Sequence, residues 1–327
     1  MSGALKQTLL AFAAVLGLHA PAGSETFPTK SITIMPLLAA GTGLDVTVRL
    51  YAEQLSQAFG KPVVVENKPG GAGLAGVAAL KAGPADGYNM IVATSAVMAI
   101  RPTLLKVAPY DPLNDFVPIA LYVKSPFILV VNPELPIHSV PELIKYVKER
   151  PGQLSYSSSG VGGAPHLSAE YMKQRYEIDL THVPYRNSPQ SIADIAAGHV
   201  AMAFAEAGAS LPLIRDGKLR ALAVTSSTRL PTVPELPPFG EAVGTPDFEA
   251  VSWHVLLAPA GTPPDVVDKL HGEMKRIMEA PDLKKKVADI GLIPLDIASV
   301  EAARAYIKAE GEKWGSLVRK LGLEASQ

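Results

Sequence analysis

Short apolar runs alternate with helical patterns along nearly the whole chain. The apolar runs occupy residues 32–36, 63–66, 90–93, 127–131, 154–158, 200–204 and 219–224, and their length predicts buried strands. Between them, apolar residues recur at helical spacing, as at Val266, Leu270, Met274 and Ile277. This alternation predicts an α/β fold with mixed sheets flanked by helices.

Three predicted helices carry start signals. Proline follows closely after Ser139, Ser188 and Thr262, and a small hydroxyl residue before a first-turn proline is typical of a helix N-terminus. Two proline-rich stretches, 102–118 and 230–246, lack either periodicity, and we interpret the second as a surface connection. The central block between them has the length of one domain.

The sequence therefore predicts two domains joined by two crossovers. We assign residues 23–124 plus 250–327 to the first domain and 125–249 to the second. Because ligands of open α/β sheets bind beyond the carboxyl ends of the strands, we expect a ligand cleft between the domains.

Composition restricts the function classes. Hydrophobic residues make up 48% of the 327 residues, and the formal net charge is −1, which is typical of a globular protein and offers no basic surface for nucleic acid. The chain has no cysteine, so disulfides and cysteine metal sites are excluded. We expect a monomer with no metal, no cofactor and no catalytic residues.

The first 22 residues resemble an export signal. Lys6 precedes apolar residues 9–18, and Ala20 and Ala22 fit the small-residue cleavage pattern. We expect cleavage near Ala22 and a periplasmic mature protein.

A glycine-rich loop follows the strand predicted at 63–66. Gly71, Gly73 and Gly76 fit the dinucleotide pattern G-x-G-x-x-G. However, the glycines do not follow the strand directly, and the strand at 90–93 is followed by Thr94 and Ser95 instead of an acidic residue. A dinucleotide site and a turn without a ligand both remain alternatives to an anion site at the start of the next helix.

The strand at 32–36 leads into a second glycine-rich loop. There we expect Thr42 and the loop amides to face the ligand, and Asp45 to cap the following helix. In the central block, serine and glycine residues at 157–163 precede His166, which either caps a helix or contacts the ligand. Nearby, Arg186 is able to bind a carboxylate in a bidentate manner.

Motifs for catalysis are missing from these loops. The chain contains no G-x-S-x-G, no H-E-x-x-H and no G-K-[ST] sequence. An exported hydrolase that uses a serine of 157–159 with His166 or His182 as its base remains an alternative.

Eight ordered motifs carry a family resemblance. They are FPTKSITIMPLLAAGTGLD (27–45), VVVENKPGGAG (63–73), ADGYNM (85–90), DFVPIAL (115–121), SSSGVGGAPHLSAE (157–170), HVPYRNSP (182–189), GKLRALAVTSSTRLP (217–231) and WHVLLAPAGTP (253–263). Nearly the whole mature chain thus resembles the Bug, or TctC-type, extracytoplasmic solute receptors.

The resemblance implies a type II-like periplasmic binding protein whose two domains close on a small carboxylate. Such a receptor hands its ligand to integral-membrane subunits of a tripartite tricarboxylate-type transporter or docks onto a sensor kinase. Loops of the first domain would hold one carboxylate, and the second domain would set selectivity. The implied ligand-binding residues are Leu38, Ala39, Ala40, Gly41, Thr42, Gly43, Gly70, Gly71, Ala72, Thr94, Ser95, Ser159, Gly160, His166, Tyr185, Arg186 and Glu206.

Three residues depart from the family pattern. Leu44 replaces a hydroxyl residue before Asp45, Asn187 stands where glycine is usual, and Glu206 follows the strand at 200–204, where small or polar residues are common. Glu206 either points to solvent or lies in the cleft, where a carboxylate would repel a second carboxylate or attract an amine.

Overall fold

The structure is a computed structural model that describes residues 26–185 and 188–327. The predicted export signal, residues 1–22, lies outside the described residues, as do Arg186 and Asn187. The strands are β1 (Ile32–Pro36), β2 (Val63–Val65), β3 (Asn89–Thr94), β4 (Phe116–Ser125), β5 (Phe127–Val131), β6 (Ser155–Ser158), β7 (Thr181–Pro184), β8 (Met202–Glu206), β9 (Arg220–Val224), β10 (Ser252–Pro259) and β11 (Ile293–Pro294).

The helices are α1 (Gly43–Phe59), α2 (Leu74–Ala82), α3 (Arg101–Leu104), α4 (Val140–Lys148), α5 (Ala164–Tyr176), α6 (Ser188–Ala196), α7 (Ala207–Arg215), α8 (Phe239–Val243), α9 (Pro264–Glu279), α10 (Pro281–Asp289) and α11 (Val300–Lys320). A 3-10 turn at Gly70–Gly73 precedes α2, and a π-helical turn at Ala96–Ile100 precedes α3. In the part of the chain that the structure describes, no helix combines the length and apolar character needed to cross a membrane.

The strands form two mixed sheets, as the sequence predicted. The first has the order β11-β4-β10-β3-β1-β2, and the second has the order β7-β6-β8-β5-β9. In the first sheet β1 pairs parallel with β2 and β3, whereas β10 runs antiparallel between β3 and β4. In the second sheet β6 pairs parallel with β7 and β8, and β5 runs antiparallel to β8 and β9.

Helices cover both faces of each sheet. On β5, Ile128 and Val130 pack in a cluster with residues of α6 and α7, while Leu129 and Val131 pack in a cluster that extends to both sheets. A strand buried on both faces needs apolar side chains on both, which explains its continuous apolar run. The layers are those predicted from the alternation of patterns.

Helix starts agree with the sequence in part. Ser139 caps α4 by accepting a hydrogen bond from the Glu142 amide, as predicted. Thr262 does not cap α9, since its hydroxyl donates to the Pro259 carbonyl and Pro263 occupies the N-cap position.

The proline-rich stretch at 230–246 does connect β9 to β10, but the prediction that it lies at the surface was wrong. It contains α8, and Leu230 and Phe239 are fully buried. The ring of Phe239 stacks on Phe248 with centroids 4.2 Å apart. The prolines interrupt any regular spacing of apolar residues, so no element is predicted here. The apolar side chains of the stretch nevertheless pack into the core.

The chain passes from the first sheet to the second and returns once. The first crossing is at Pro126, between β4 and β5, and the second lies between β9 and β10. The assignment of two domains that move independently stays a prediction.

Candidate functional site

The carboxyl ends of the parallel strands in both sheets open onto one cavity of about 220 Å³. From the first sheet it receives the loops after β1 and β3 and the turn before α2. From the second sheet it receives the loop after β6, the end of β8 and the start of β5. The cavity therefore lies between the two sheets, where the sequence placed the cleft.

The loop after β1 ends at the N-terminus of α1, and Thr42 is the N-cap. The Thr42 hydroxyl accepts from the Asp45 amide at 3.4 Å and donates to the Ala39 carbonyl at 2.9 Å. The prediction that Asp45 caps the helix was wrong, because Asp45 lies in the first turn. Thr42 combines capping with a place in the cavity wall.

Asp45 joins the two glycine-rich loops. Its carboxylate accepts from the Gly41 amide at 2.9 Å and from Asn67 Nδ2 at 3.0 Å, and it pairs with Arg49. Asn67 Nδ2 also donates to the Leu38 carbonyl at 3.1 Å. Burial raises the pKa of Asp45, but hydrogen bonds from Arg49, Gly41 and Asn67 outweigh it and leave the pKa below its usual value. The Asp45 carboxylate thus joins the two glycine-rich loops without lining the cavity.

The second glycine-rich loop turns through the left-handed region. Gly71, Ala72 and Gly73 have φ values of 60°, 55° and 96°, and Ala72 lines the cavity. A non-glycine residue with positive φ is strained, and such residues cluster at binding sites.

The third glycine of the dinucleotide-like pattern has a packing reason. A Cβ on Gly76 would lie 2.2 Å from Leu37 Cδ2, so α2 approaches the loop after β1 only because Gly76 has no side chain. The spacing of these glycines therefore follows from the turn and from the contact with Leu37.

The loop after β6 rests on two neighbouring histidines. The Nδ1 atom of His166 accepts from the Gly162 amide at 3.1 Å, and the rings of His166 and His182 are 4.2 Å apart. His166 is buried beneath the loop, in the first turn of α5, where it supports the loop through the Gly162 amide but does not cap the helix, since Gly163 is the N-cap. Ser159 and Gly160 line the cavity above it.

The serine that faces the cavity is not the serine that has a histidine partner. Ser158 Oγ lies 2.7 Å from His182 Nε2, but Ser158 is only 2% exposed. Ser159 is exposed, whereas His166 Nδ1 is occupied by the Gly162 amide. This separation of nucleophile and base does not favour the hydrolase alternative.

Eight of the predicted binding residues come together in the cavity wall: Leu38, Thr42, Gly43, Ala72, Thr94, Ser159, Gly160 and Glu206. Others lie outside the lining, namely Ala39, Ala40, Gly41, Gly70, Gly71, Ser95, His166 and Tyr185. The Ser95 hydroxyl bonds to Ser252 Oγ at 3.0 Å, and the Tyr185 hydroxyl donates to Asp194 at 2.6 Å. Arg186 lies outside the described residues, and the ligand roles of all these residues stay predictions.

The cavity also contains residues that the sequence predictions missed. Arg101 begins α3, and Ser125, Ser252 and His254 come from β4 and β10. The sequence held a signal for two of them, since Ser252 and His254 flank Trp253 at the start of the eighth family motif. Arg101 directly follows the π-helical turn at Ala96–Ile100. The spacing of apolar residues does not predict such a turn, so the sequence gives no sign that Arg101 reaches the cavity.

His254 forms a polar patch of the cavity with Thr94, its partner in the β10–β3 register. The Nδ1 atom of His254 is buried without a hydrogen-bond partner. Burial lowers the pKa of His254 to about 3, so its ring is neutral at physiological pH. A neutral imidazole in a cavity wall can donate or accept a hydrogen bond but contributes no charge.

Burial also raises the pKa of Glu206, which ends β8 opposite Phe127 at the start of β5. Glu206 lines the cavity, so the alternative that it points to solvent was wrong. In the described residues, no cluster of three or more histidine and acidic side chains offers a metal site.

Comparison with known proteins identifies the family. The family model described as "Tripartite tricarboxylate transporter family receptor" matches residues 47–323. The chain belongs to this family. It is 33% identical to Protein BugT of Bordetella pertussis over 95% of both chains. The family resemblance seen in the motifs is confirmed.

Solved structures agree with this assignment. The R. palustris protein Rpa4515, solved with adipate, is 32% identical, with a TM-score of 0.80 over 90% of this chain and 98% of that one. The periplasmic binding protein BugD is 31% identical, with a TM-score of 0.78 over 91% and 99%. The protein is a solute-binding receptor of the tripartite tricarboxylate transporter family.

Proposed function

We propose that the protein captures a small organic carboxylate in the cavity between its two sheets. The single observation that carries this proposal is the lining itself: loop residues after β1 and β3, serine hydroxyls and the guanidinium of Arg101 converge there from both sheets. Hydroxyls, amides and guanidinium are the donors that carboxylates accept from. The adipate bound to Rpa4515 supports this ligand class.

The receptor then delivers its ligand to the integral-membrane subunits of a tripartite transporter. We propose that residues 1–22 direct export, that the mature monomer acts in the periplasm, and that residues 23–124 plus 250–327 and residues 125–249 form two domains that close on the ligand. The family assignment supports the transporter partner. Docking onto a sensor kinase needs the same ligand and remains the alternative.

Thermal unfolding of the ligand-free protein tests the binding function. A ligand at 100 times its dissociation constant stabilises the folded state by about 2.7 kcal/mol, which raises the melting temperature measurably. We expect such a shift with at least one member of a panel of mono-, di- and aminocarboxylates. A panel that gives no shift at millimolar concentration would refute the proposal, and ester turnover lost in Ser159→Ala would favour the hydrolase.

A further inference from the structure

One basic and one acidic side chain line the cavity, and they come from different sheets. Arg101 lies at the start of α3, beyond the carboxyl end of β3 in the first sheet. Glu206 is the last residue of β8 in the second sheet. The other ionisable residue of the described lining is His254, which is neutral. The cavity therefore presents one guanidinium group and one carboxyl group to a ligand.

Neither charge has a partner within the described residues. No ion pair joins Arg101 to Glu206, and no side-chain hydrogen bond satisfies either the guanidinium or the Glu206 carboxylate. The carboxylates of Asp45 and Glu249, in contrast, each have a cationic partner. Arg101 and Glu206 thus both line the cavity without forming an ion pair with each other.

An unpartnered charge in a partly enclosed site is costly unless a ligand completes it. Arginine stays charged in proteins, so Arg101 calls for an anionic group. Burial raises the pKa of Glu206, and among the described residues no nearby cation opposes this rise. A cationic group beside Glu206 would reverse that rise, whereas a second carboxylate there would be repelled or would have to bring a proton with it.

Resting on the receptor function proposed above, we propose that the ligand is an amino-carboxylate: its carboxylate binds Arg101 and its ammonium group binds Glu206. Leu38, Val97 and Phe127 add apolar surface to the same lining, which suits a short hydrocarbon segment. Glu206 is the residue that selects an ammonium group over a second carboxylate.

The test compares ligands that differ only at one end. Isothermal titration measures succinate, glutarate and adipate against 4-aminobutyrate, 5-aminopentanoate and 6-aminohexanoate, together with glutamate and the α-amino acids alanine and leucine. We expect at least one amino-carboxylate to bind at least tenfold more tightly than succinate, glutarate and adipate. If dicarboxylates bind more tightly and take up a proton, the amino-carboxylate inference fails while the receptor function stands. If no member of the panel binds, the receptor function proposed for small carboxylates fails as well.

Two substitutions examine Glu206 and Arg101 separately. Glu206→Gln keeps the shape and removes the charge, so we expect at least a tenfold loss of affinity for the amino-carboxylate and a gain for the matched dicarboxylate. Arg101→Gln weakens both ligands tenfold or more, and Arg101→Lys restores part of the loss. The matched controls are Glu53→Gln and Arg215→Gln, which change exposed side chains of α1 and α7 and leave both affinities within twofold.

The comparison of amino-carboxylates with dicarboxylates uses the wild-type protein and therefore does not depend on the folding of any variant. Titrations in buffers of different ionisation enthalpy count the protons exchanged on binding. An amino-carboxylate at Glu206 releases protons or exchanges none, because a nearby cation lowers the pKa of the carboxyl. Unchanged selectivity in a folded Glu206→Gln protein would overturn the assignment of Glu206.

Discussion

His166 and His182 show how single residues in this fold are held neutral. Their rings stack beside Tyr156, and His182 Nε2 bonds to Ser158. Burial, together with His166 and Lys173, lowers the pKa of His182 to about 4 against the opposing effect of Glu170. Both histidines support the loop that carries Ser159 and Gly160 to the cavity.

The depressed pKa of His182 predicts how stability depends on pH. An unfolded histidine titrates near pH 6.5, so between pH 6.5 and about 4 the unfolded chain binds the proton that folded His182 refuses. The stabilisation is complete above pH 6.5 and is lost as the pH falls toward 4. In His182→Gln we expect the free energy of unfolding to fall less steeply, by up to about 1 kcal/mol per pH unit after allowance for solvent screening.

Urea unfolding at a series of pH values measures this slope. His138→Gln is the matched control, because His138 is exposed and its side chain supports no loop. Parallel slopes for the wild type and His182→Gln would show that His182 does not titrate as expected.

At the scale of elements, Asn67 connects the strand ends of the first sheet. Its side chain bonds to the Leu38 carbonyl, to Asp45 and to Arg49, and so it holds the loop after β1 against the turn before α2. Leu38 and Ala72, one from each side of this link, both line the cavity. The link positions binding residues without itself lining the cavity.

Asn67→Ala therefore affects binding as well as stability. Loss of the amide leaves the Leu38 carbonyl without this donor and Asp45 Oδ1 with Arg49 as its remaining partner, and we expect the free energy of unfolding to fall by about 1–2 kcal/mol. Because both loops are then free to shift, we expect the dissociation constant of a bound carboxylate to rise about tenfold. Titration calorimetry and urea unfolding measure the two effects.

The control for Asn67→Ala removes the side-chain amide of an exposed residue far from the two loops. Gln57 is exposed on α1, so Gln57→Ala should change the free energy of unfolding by less than about 0.5 kcal/mol. An unchanged dissociation constant in a destabilised Asn67→Ala protein would limit Asn67 to a structural role.

Elements were predictable where the pattern is local. The run at 32–36 coincides with β1, and the run at 127–131 coincides with β5. The two-residue β11 is too short for a pattern, and α8 lies hidden among prolines. The motif at 253–263 contains most of β10. The motif does not predict that β10 lies antiparallel between β3 and β4, because this pairing joins residues more than a hundred positions apart.

The same limit applies to the candidate site. Loop residues after predicted parallel strands were found because strand ends share one edge of a sheet. Arg101, Ser252 and His254 were missed because a helix start and an antiparallel strand bring them to that edge. Glycine and hydroxyl patterns in the sequence indicate which loops bind a ligand. The charged residue Arg101, in contrast, can be assigned to the cavity only once the fold is known.

For the whole molecule, the two crossings between the sheets are joined by one ion pair. Lys124 lies at the end of β4, just before the first crossing, and Glu249 lies just before β10, at the second. Lys124 Nζ contacts the two Glu249 carboxylate oxygens at 3.0 and 2.9 Å, and Lys313 of α11 donates to the Glu249 carbonyl. Any movement of one sheet against the other must bend the chain here.

A double-mutant cycle with Lys124→Met and Glu249→Gln measures what this pair contributes. The two side chains are about a fifth to a quarter exposed, at 19% and 25%, so the pair is less screened than a surface pair, and we expect a coupling energy of about 1–2 kcal/mol in unfolding free energy. The pair does not line the cavity, and therefore each variant should retain ligand binding within about threefold of the wild type. A coupling energy near zero would mean that the backbone of the crossings alone sets the geometry of the two sheets, and a large loss of affinity would mean that the pair also governs closure over the ligand.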